Sequence, residues 1–327
     1  MRAMRVLRWL MVPLLVAVSG CLPEEEATVI KLGHGLDPSH PVHEGMVYMA
    51  ERVAELSGGE MRIDIYPSQQ LCTERECMEL LQIGSLGMTK VSAAVMENFA
   101  PSFQVLNLPY VFRDEEHRFR VLDGEIGEEL LREGESKRLL GLGFYDAGSR
   151  SFYTKTRPIE TPADLAGMKI RVQESTTAMR MISALGGSPT PIAFGELYTA
   201  LQQGVVDGAE NNPPSFLTSR HYEVAPYYTL DEHTAVPDVL VISTVIWNRL
   251  TPQEQQWLRQ AASESEMVQR ELWREATEEA LRTVEAAGVT IIRPDKEQFA
   301  QQVQPMIESY RDNPAVYSLY QRIQAVE

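Results

Sequence analysis

Cysteine is scarce in this chain, with three in 327 residues. Cys72 and Cys77 are five apart with no second pair, a poor spacing for zinc. Positive charge is also thin: 30 Lys and Arg stand against 46 Asp and Glu, a formal net charge of -16. With no long basic run, the chain is excluded from nucleic-acid binding, because an acidic surface repels phosphate. No Gly-x-Ser-x-Gly elbow and no phosphate loop occurs. Gly141-Leu142-Gly143 opens like a dinucleotide loop but lacks the third glycine. Internal repeats and low-complexity tracts are absent as well. What remains is the profile of a soluble globular protein, 44% hydrophobic and 23% charged, long enough for two domains with separate cores.

The first twenty residues are different. Arg2, Arg5 and Arg8 form a basic start, and Trp9 to Val18 is an apolar run too short to span a bilayer. Val18-Ser19-Gly20-Cys21 then resembles the lipobox of bacterial lipoproteins. Residues 1–20 are therefore expected to be a removed signal peptide, with Cys21 as the lipidation site and residues 21–27 as an acidic tether. An ordinary secretory signal with an incidental cysteine is the alternative. Loss of the three arginines takes the formal charge from -16 to -19. The expected location is periplasmic, exported and anchored to a membrane. Thiols tend to oxidise there, so Cys72 and Cys77 are candidates for a disulfide. Two buried free thiols, or metal or redox chemistry, are the other readings.

From residue 28 onward, strand and helix patterns alternate. Thr28 to Leu32 reads as a strand, Pro41 opens a helix, and Gly58-Gly59 closes it. Met61 to Tyr66 alternates with period two, as a strand does. Thr73-Glu74-Arg75-Glu76 is a capping box whose helix runs to Gly84, and Leu86 to Ser92 is the next strand. This order predicts parallel sheets. The pattern resumes with strands at Met168–Gln173, Val205–Ala209 and Val239–Thr244, and a helix over Phe194–Gln203. Thr251-Pro252-Gln253-Glu254 caps a helix with no Pro or Gly until Gly288. At about 1.5 Å per residue it is some 50 Å long, more than one domain needs.

Three stretches carry a family resemblance. Arg150-Ser151-Phe152-Tyr153-Thr154-Lys155 leads through Thr161-Pro162-Ala163-Asp164 to Lys169-Ile170-Arg171-Val172. Gly204-Val205-Val206-Asp207-Gly208-Ala209-Glu210-Asn211 follows, and His34, Pro41, His43 and Tyr66-Pro67 precede. Together they resemble the solute-binding proteins of TRAP transporters over nearly the whole mature chain. Asn211-Asn212-Pro213-Pro214 and Leu230-Asp231-Glu232-His233 resemble the branch that binds uronic acids, although that branch more often has Gly than Cys72. The resemblance implies an α/β, two-lobed periplasmic-binding-protein-like fold with crossing hinge strands and a long helix bracing both lobes. The expected division is 28–149 plus about 238–250 as lobe I, 150–237 plus about 289–327 as lobe II, and 251–287 as the brace. It also implies a TRAP membrane permease as partner, Arg171 as carboxylate anchor, Arg150 as a second ligand contact, and Asn211 near the ligand.

The chemistry suits those residues. A guanidinium grips a carboxylate through two parallel hydrogen bonds, which lysine cannot do. In Lys169-Ile170-Arg171-Val172, period two sets Arg171 on the face opposite Ile170 and Val172. It lies near a strand's carboxyl end, where α/β sheets bind ligands. Sugar hydroxyls need amides and carboxylates, for which Glu74, Asn211 and Asn212 are candidates, with Lys90 and His34 as further donors. Each has a plainer alternative: Glu74 as a helix-start acid, Lys90 as a solvent lysine, Asn212 as a turn residue. Tyr145, Phe194 and Phe216 are equal candidates for stacking on a sugar face. His34, His40 and His43 lack a zinc spacing, and neither metal nor cofactor is expected. The expected function is a receptor that closes over a glucuronate- or galacturonate-like acid. A keto acid, a dicarboxylate or sialic acid is the alternative ligand, and a uronate-acting lyase or hydrolase the alternative class.

Overall fold

The computed structural model describes residues 27–327. The expected signal peptide, Cys21 and the tether up to residue 26 lie outside the described residues. Along the chain, β1 (Thr28–Gly33), α1 (Pro41–Leu56), β2 (Met61–Tyr66), α2 (Glu74–Ile83), β3 (Met88–Ser92), α3 (Ala93–Met96), α4 (Glu115–Leu122), α5 (Glu125–Glu133) and β4 (Leu139–Tyr145) build the first lobe. The chain then crosses into β5 (Arg150–Thr154), β6 (Lys169–Val172), α6 (Thr176–Ala184), β7 (Ser188–Pro191), α7 (Leu197–Gln203), β8 (Gly208–Asn211), α8 (Pro213–Thr218) and β9 (Tyr227–Thr234). It returns through β10 (Asp238–Ser243) and α9 (Thr244–Trp247) to α10 (Pro252–Ala286), and ends in β11 (Thr290–Ile292), α11 (Lys296–Glu308) and α12 (Pro314–Gln324).

Two sheets result, ordered β2-β1-β3-β10-β4 and β11-β9-β5-β8-β6-β7. They are not purely parallel, as the alternating pattern suggested. β10 runs antiparallel to β3 and β4, and β5 runs antiparallel to β8 and β9. These are the two strands that arrive from the other lobe. A chain crossing the junction enters its new sheet at the junction end, so it runs opposite to strands whose carboxyl ends point there. The carboxyl ends of β3, β6 and β8 thus meet the amino ends of β5 and β10 in one place.

α10 starts on a capping box at Thr251 and runs 35 residues. Leu258, Ala261, Ala262 and Trp273 pack into the core beneath the first sheet, and Val284 packs into a core of the second lobe. Gly45 is what lets α1 lie close: a Cβ there would sit 2.7 Å from the Gln269 side chain. Beyond shifts of one or two residues at other strand ends, two elements differ from the sequence reading. The strand read at Val205 begins at Gly208, because Val205 is half exposed and the Asp207 carboxylate is spent on the Lys169 N–H. The helix read from Phe194 is a single 3₁₀ turn before α7.

Candidate ligand-binding cleft

The strand ends enclose a small chamber, about 40 Å³, lined from both lobes by polar residues including Glu74, Lys90, Arg150, Arg171, Asn211 and Asp238. The lobes touch around it. The His40 ring Nδ1 accepts the Val42 N–H, so its Nε2 carries the proton and donates to Ser215 Oγ at 3.1 Å. Burial first, then the nearby charge of Lys90, holds His40 well below the usual histidine range, so the ring is neutral.

Arg171 is 2% exposed, and its Nε donates to the Ile192 carbonyl at 2.8 Å. Its Nη1 is buried with no hydrogen-bond partner, and no carboxylate forms an ion pair with it among the described residues. Burial lowers its pKa, a pull only partly opposed by Tyr153 and Glu210. An unpartnered buried donor of this kind is costly for the protein alone.

Arg150 is placed differently. Its Nε and Nη2 fork onto the Glu210 carboxylate, and Nη1 donates to Asn211 Oδ1 at 2.8 Å. It lines the chamber, but its charge is already matched. Burial pushes Glu210 up, yet Arg150 and His233 outweigh it and bring its pKa to about 2. Behind this pair, His233 Nδ1 meets Asp231 Oδ2 at 2.8 Å. Burial lowers the His233 pKa, but Asp231 and Glu210 raise it to about 9.

On the first lobe, Lys90 Nζ donates to Glu74 Oε1 at 2.7 Å and to Asp238 Oδ1 at 3.2 Å. Burial lowers the Lys90 pKa, and the two acids more than reverse that. With both carboxyls ionised the cluster holds one more negative charge than positive. Asn211 Oδ1 accepts from Arg150 and from the Asn212 N–H, and Asn212 Oδ1 caps α8 at Ser215 N. Both amide oxygens are therefore occupied, which leaves the NH₂ ends to donate.

Of the residues singled out from sequence, Arg171, Arg150, Asn211, Asn212, Glu74 and Lys90 line the chamber. His34 does not. Its Nδ1 accepts the Leu36 N–H and its Nε2 meets His43 Nδ1 at 3.0 Å, which turns the ring toward α1. His40 takes the cleft position instead. Phe194 reaches the chamber, whereas Tyr145 is bonded to Ser265 inside the first lobe and Phe216 lies in the core of the second. Sequence reasoning missed Asp238, Glu210 and Gln173. Glu210 and Asp238 had a signal of sorts, since each is an acid in or beside an apolar strand. Cys72 and Cys77 are joined in a disulfide, with Cα atoms 5.2 Å apart. Among the described residues no group of His, Cys, Asp and Glu could hold a metal, and no helix is long and apolar enough to cross a membrane. A larger cavity of about 710 Å³ lies beside the crossing segments and α10. Its Arg118–Asp146 and Lys296–Glu232 charges are paired and Arg113 donates to the Gln324 and Val326 carbonyls, and no described residue lining it has a buried polar atom without a partner.

Two α/β lobes, crossing strands, a bracing helix and one unmatched guanidinium in an inter-lobe chamber define a solute-binding protein. The chain belongs to the bacterial extracellular solute-binding proteins, family 7, whose profile matches residues 32–313. A TRAP periplasmic solute-binding protein from Bradyrhizobium sp. BTAi1, solved with α/β-D-galacturonate, is 40% identical, with a TM-score of 0.88 over 90% of this chain and 99% of that one. One from Roseobacter denitrificans, solved with β-D-glucuronate, is 36% identical, with a TM-score of 0.88 over 91% and 100%. The C4-dicarboxylate-binding periplasmic protein DctP of Rhodobacter capsulatus is 34% identical over 81% of this chain and 80% of its own.

Proposed function

We propose that this protein is the extracytoplasmic receptor of a TRAP transporter and that it captures a hexuronate of the glucuronate or galacturonate type. The observation that carries this is the Arg171 guanidinium, buried in the chamber without an acid to match it. A ligand carboxylate supplies that match, and the Arg171 Nη1 donor then has an acceptor. Asn211 and Asn212 donate to ring or hydroxyl oxygens. Glu74 and Asp238 accept from hydroxyls, Lys90 orients them, and Phe194 offers its face to the sugar.

The same charges argue against a dicarboxylate. Its second carboxylate would meet two acids and one ammonium, and like charges in a poorly hydrated space repel strongly. The uronates held by the two structural neighbours above support the same choice. Since the chamber has room for only a few waters, a sugar acid enters as the lobes part and is enclosed as they close. The moving bodies are residues 28–149 with about 238–250 and residues 150–237 with about 289–313, and 251–287 forms the brace; α12, expected with the second lobe, is instead held by the first through His117–Ile323, Val111–Gln324 and Glu129–Arg322. The closed form is passed to a two-part membrane permease. Cys21 carries the lipid anchor, and the protein releases its ligand unchanged.

Calorimetry on the mature protein tests this, with D-glucuronate, D-galacturonate, sialic acid, a keto acid and succinate. Tight binding of a uronate without loss of substrate in the recovered solution is expected. Preference for succinate, or conversion of the uronate, overturns the reading.

A further inference from the structure

The disulfide sits where the cleft needs positioning. Cys72 immediately precedes Thr73, the N-cap of α2, and Cys77 lies one turn inside the helix. The bond therefore encircles Glu74, whose Oε1 accepts from Lys90 Nζ and from the Ser92 N–H at 3.3 Å. Both sulfurs are buried, and Cys77 packs with Met78, Leu81, Leu86 and Val91 in the core. Cys72 Sγ also lies against Gly33 at the end of β1. The bond thus joins the loop before α2 to the first turn of the helix, with Cys72 packed against the end of β1.

Just upstream, Ser68 and Gln69 both adopt left-handed backbone angles, φ 54° and 58°, which residues with a Cβ disfavour. Their N–H groups donate to the Leu36 and His34 carbonyls at 3.0 Å each. This loop brings Gln69 against Gly195 of the other lobe, where a Cβ would fall 2.3 Å from Gln69 Oε1. One short segment therefore carries a lip of the cleft and an acid of its wall. The Thr73–Glu76 capping box orders the helix start but does not reach back to the loop. A ring this small also restrains the unfolded chain least, so its main effect is local.

We propose that Cys72 and Cys77 are positioning residues for ligand binding: their bond holds Glu74 and the Gln69 lip in the geometry that meets the hydroxyl end of the bound acid. This rests on the receptor function above. In an oxidising compartment the bond persists, and its reduction loosens that end of the cleft while Arg171 stays in place.

The test is a double-mutant cycle on the mature protein, read as D-galacturonate affinity by calorimetry. Cys72→Ser/Cys77→Ser is expected to weaken binding about tenfold, mostly through faster release. In a Glu74→Gln/Gln69→Ala background the same pair of serines is expected to change affinity less than about twofold, because both groups being positioned are already lost. Equal losses in both backgrounds indicate a bond that merely stabilises the lobe, and overturn the proposal. Unchanged affinity of the serine variant overturns it too. Should the serine variant fail to fold, wild-type protein reduced with dithiothreitol and assayed with and without reoxidation gives the same comparison. Failure of oxidised wild-type protein to bind any uronate sinks the receptor reading and this inference together. Uronate binding that ignores the disulfide sinks only the inference.

Discussion

Arg150 and Arg171 sit at the same junction, on strands that flank β8 on either side, and both are almost fully buried. They differ in what surrounds them. Arg150 holds Glu210 in a fork and touches Asn211, so its charge is matched within the protein. Arg171 has a single backbone carbonyl and an orphaned Nη1. A buried charge with a built-in partner is already matched within the protein, whereas one without a partner is the charge that the proposed ligand would match. Burial alone thus says nothing about role; the inventory of partners does.

That contrast can be broken experimentally. The largest expected effect is on binding. Arg171→Met keeps the length of the side chain and removes the donor, and should weaken uronate affinity by about 30-fold or more. The urea midpoint of the ligand-free protein should change little, since an unmatched buried charge is being removed. Calorimetry and a denaturation curve on the same sample check both halves. Arg150→Met should reverse the pattern. It strands Glu210 and costs about 3–5 kcal/mol of stability by urea denaturation. Arg150→Met/Glu210→Gln should recover part of that, because the stranded charge is gone.

A smaller effect is expected from pH. The folded pKa of His233, about 9, lies above the ordinary 6.5, so the ion pairs it makes with Asp231 and Glu210 stabilise the native form fully below pH 6.5. That contribution fades as pH rises through about 9. Melting temperature should therefore fall more steeply between pH 7 and pH 10 in wild-type protein than in His233→Gln; parallel curves would show that His233 is not charged. Glu210 has the opposite sign. Its folded pKa of about 2 gives stability present above the ordinary 4.5 and lost as pH falls toward 2. The smallest effect concerns the rim. Gly195→Ala places a methyl against Gln69, the flexible end of which can shift. The loss in affinity should be only about twofold to fivefold, a fraction of 1 kcal/mol to about 1 kcal/mol, and isothermal titration of the variant can resolve it.

Much of the fold was legible in the residues. Capping boxes at Thr73 and Thr251, and the glycine stop at Gly84, are local signals, and helix starts and stops are set by local chemistry. The place of Arg171 near the end of a strand was legible from period two. The internal pairing of Arg150 was not, because its partner Glu210 is sixty residues away in sequence and reaches it only through the pairing of β5 with β8. His34 and His40 show the same limit at short range: Nδ1 of each accepts a backbone N–H, and only the partner of Nε2, His43 for His34 and Ser215 of the other lobe for His40, sets which ring faces the cleft. The mixed sheets could not be read from the alternation of elements, since strand direction depends on which end of the sheet the crossing chain enters.

By itself, the sequence determined which segments become helices and strands, that the chain is acidic yet carries arginines at strand ends, and which family it joins. Those properties are local or compositional and survive in any arrangement of the chain. Only the tertiary structure decided which charges are matched internally and which are left without an internal partner. That depends on strand ends from distant parts of the chain meeting at one junction, and charge matching there is a property of distances that no single segment contains.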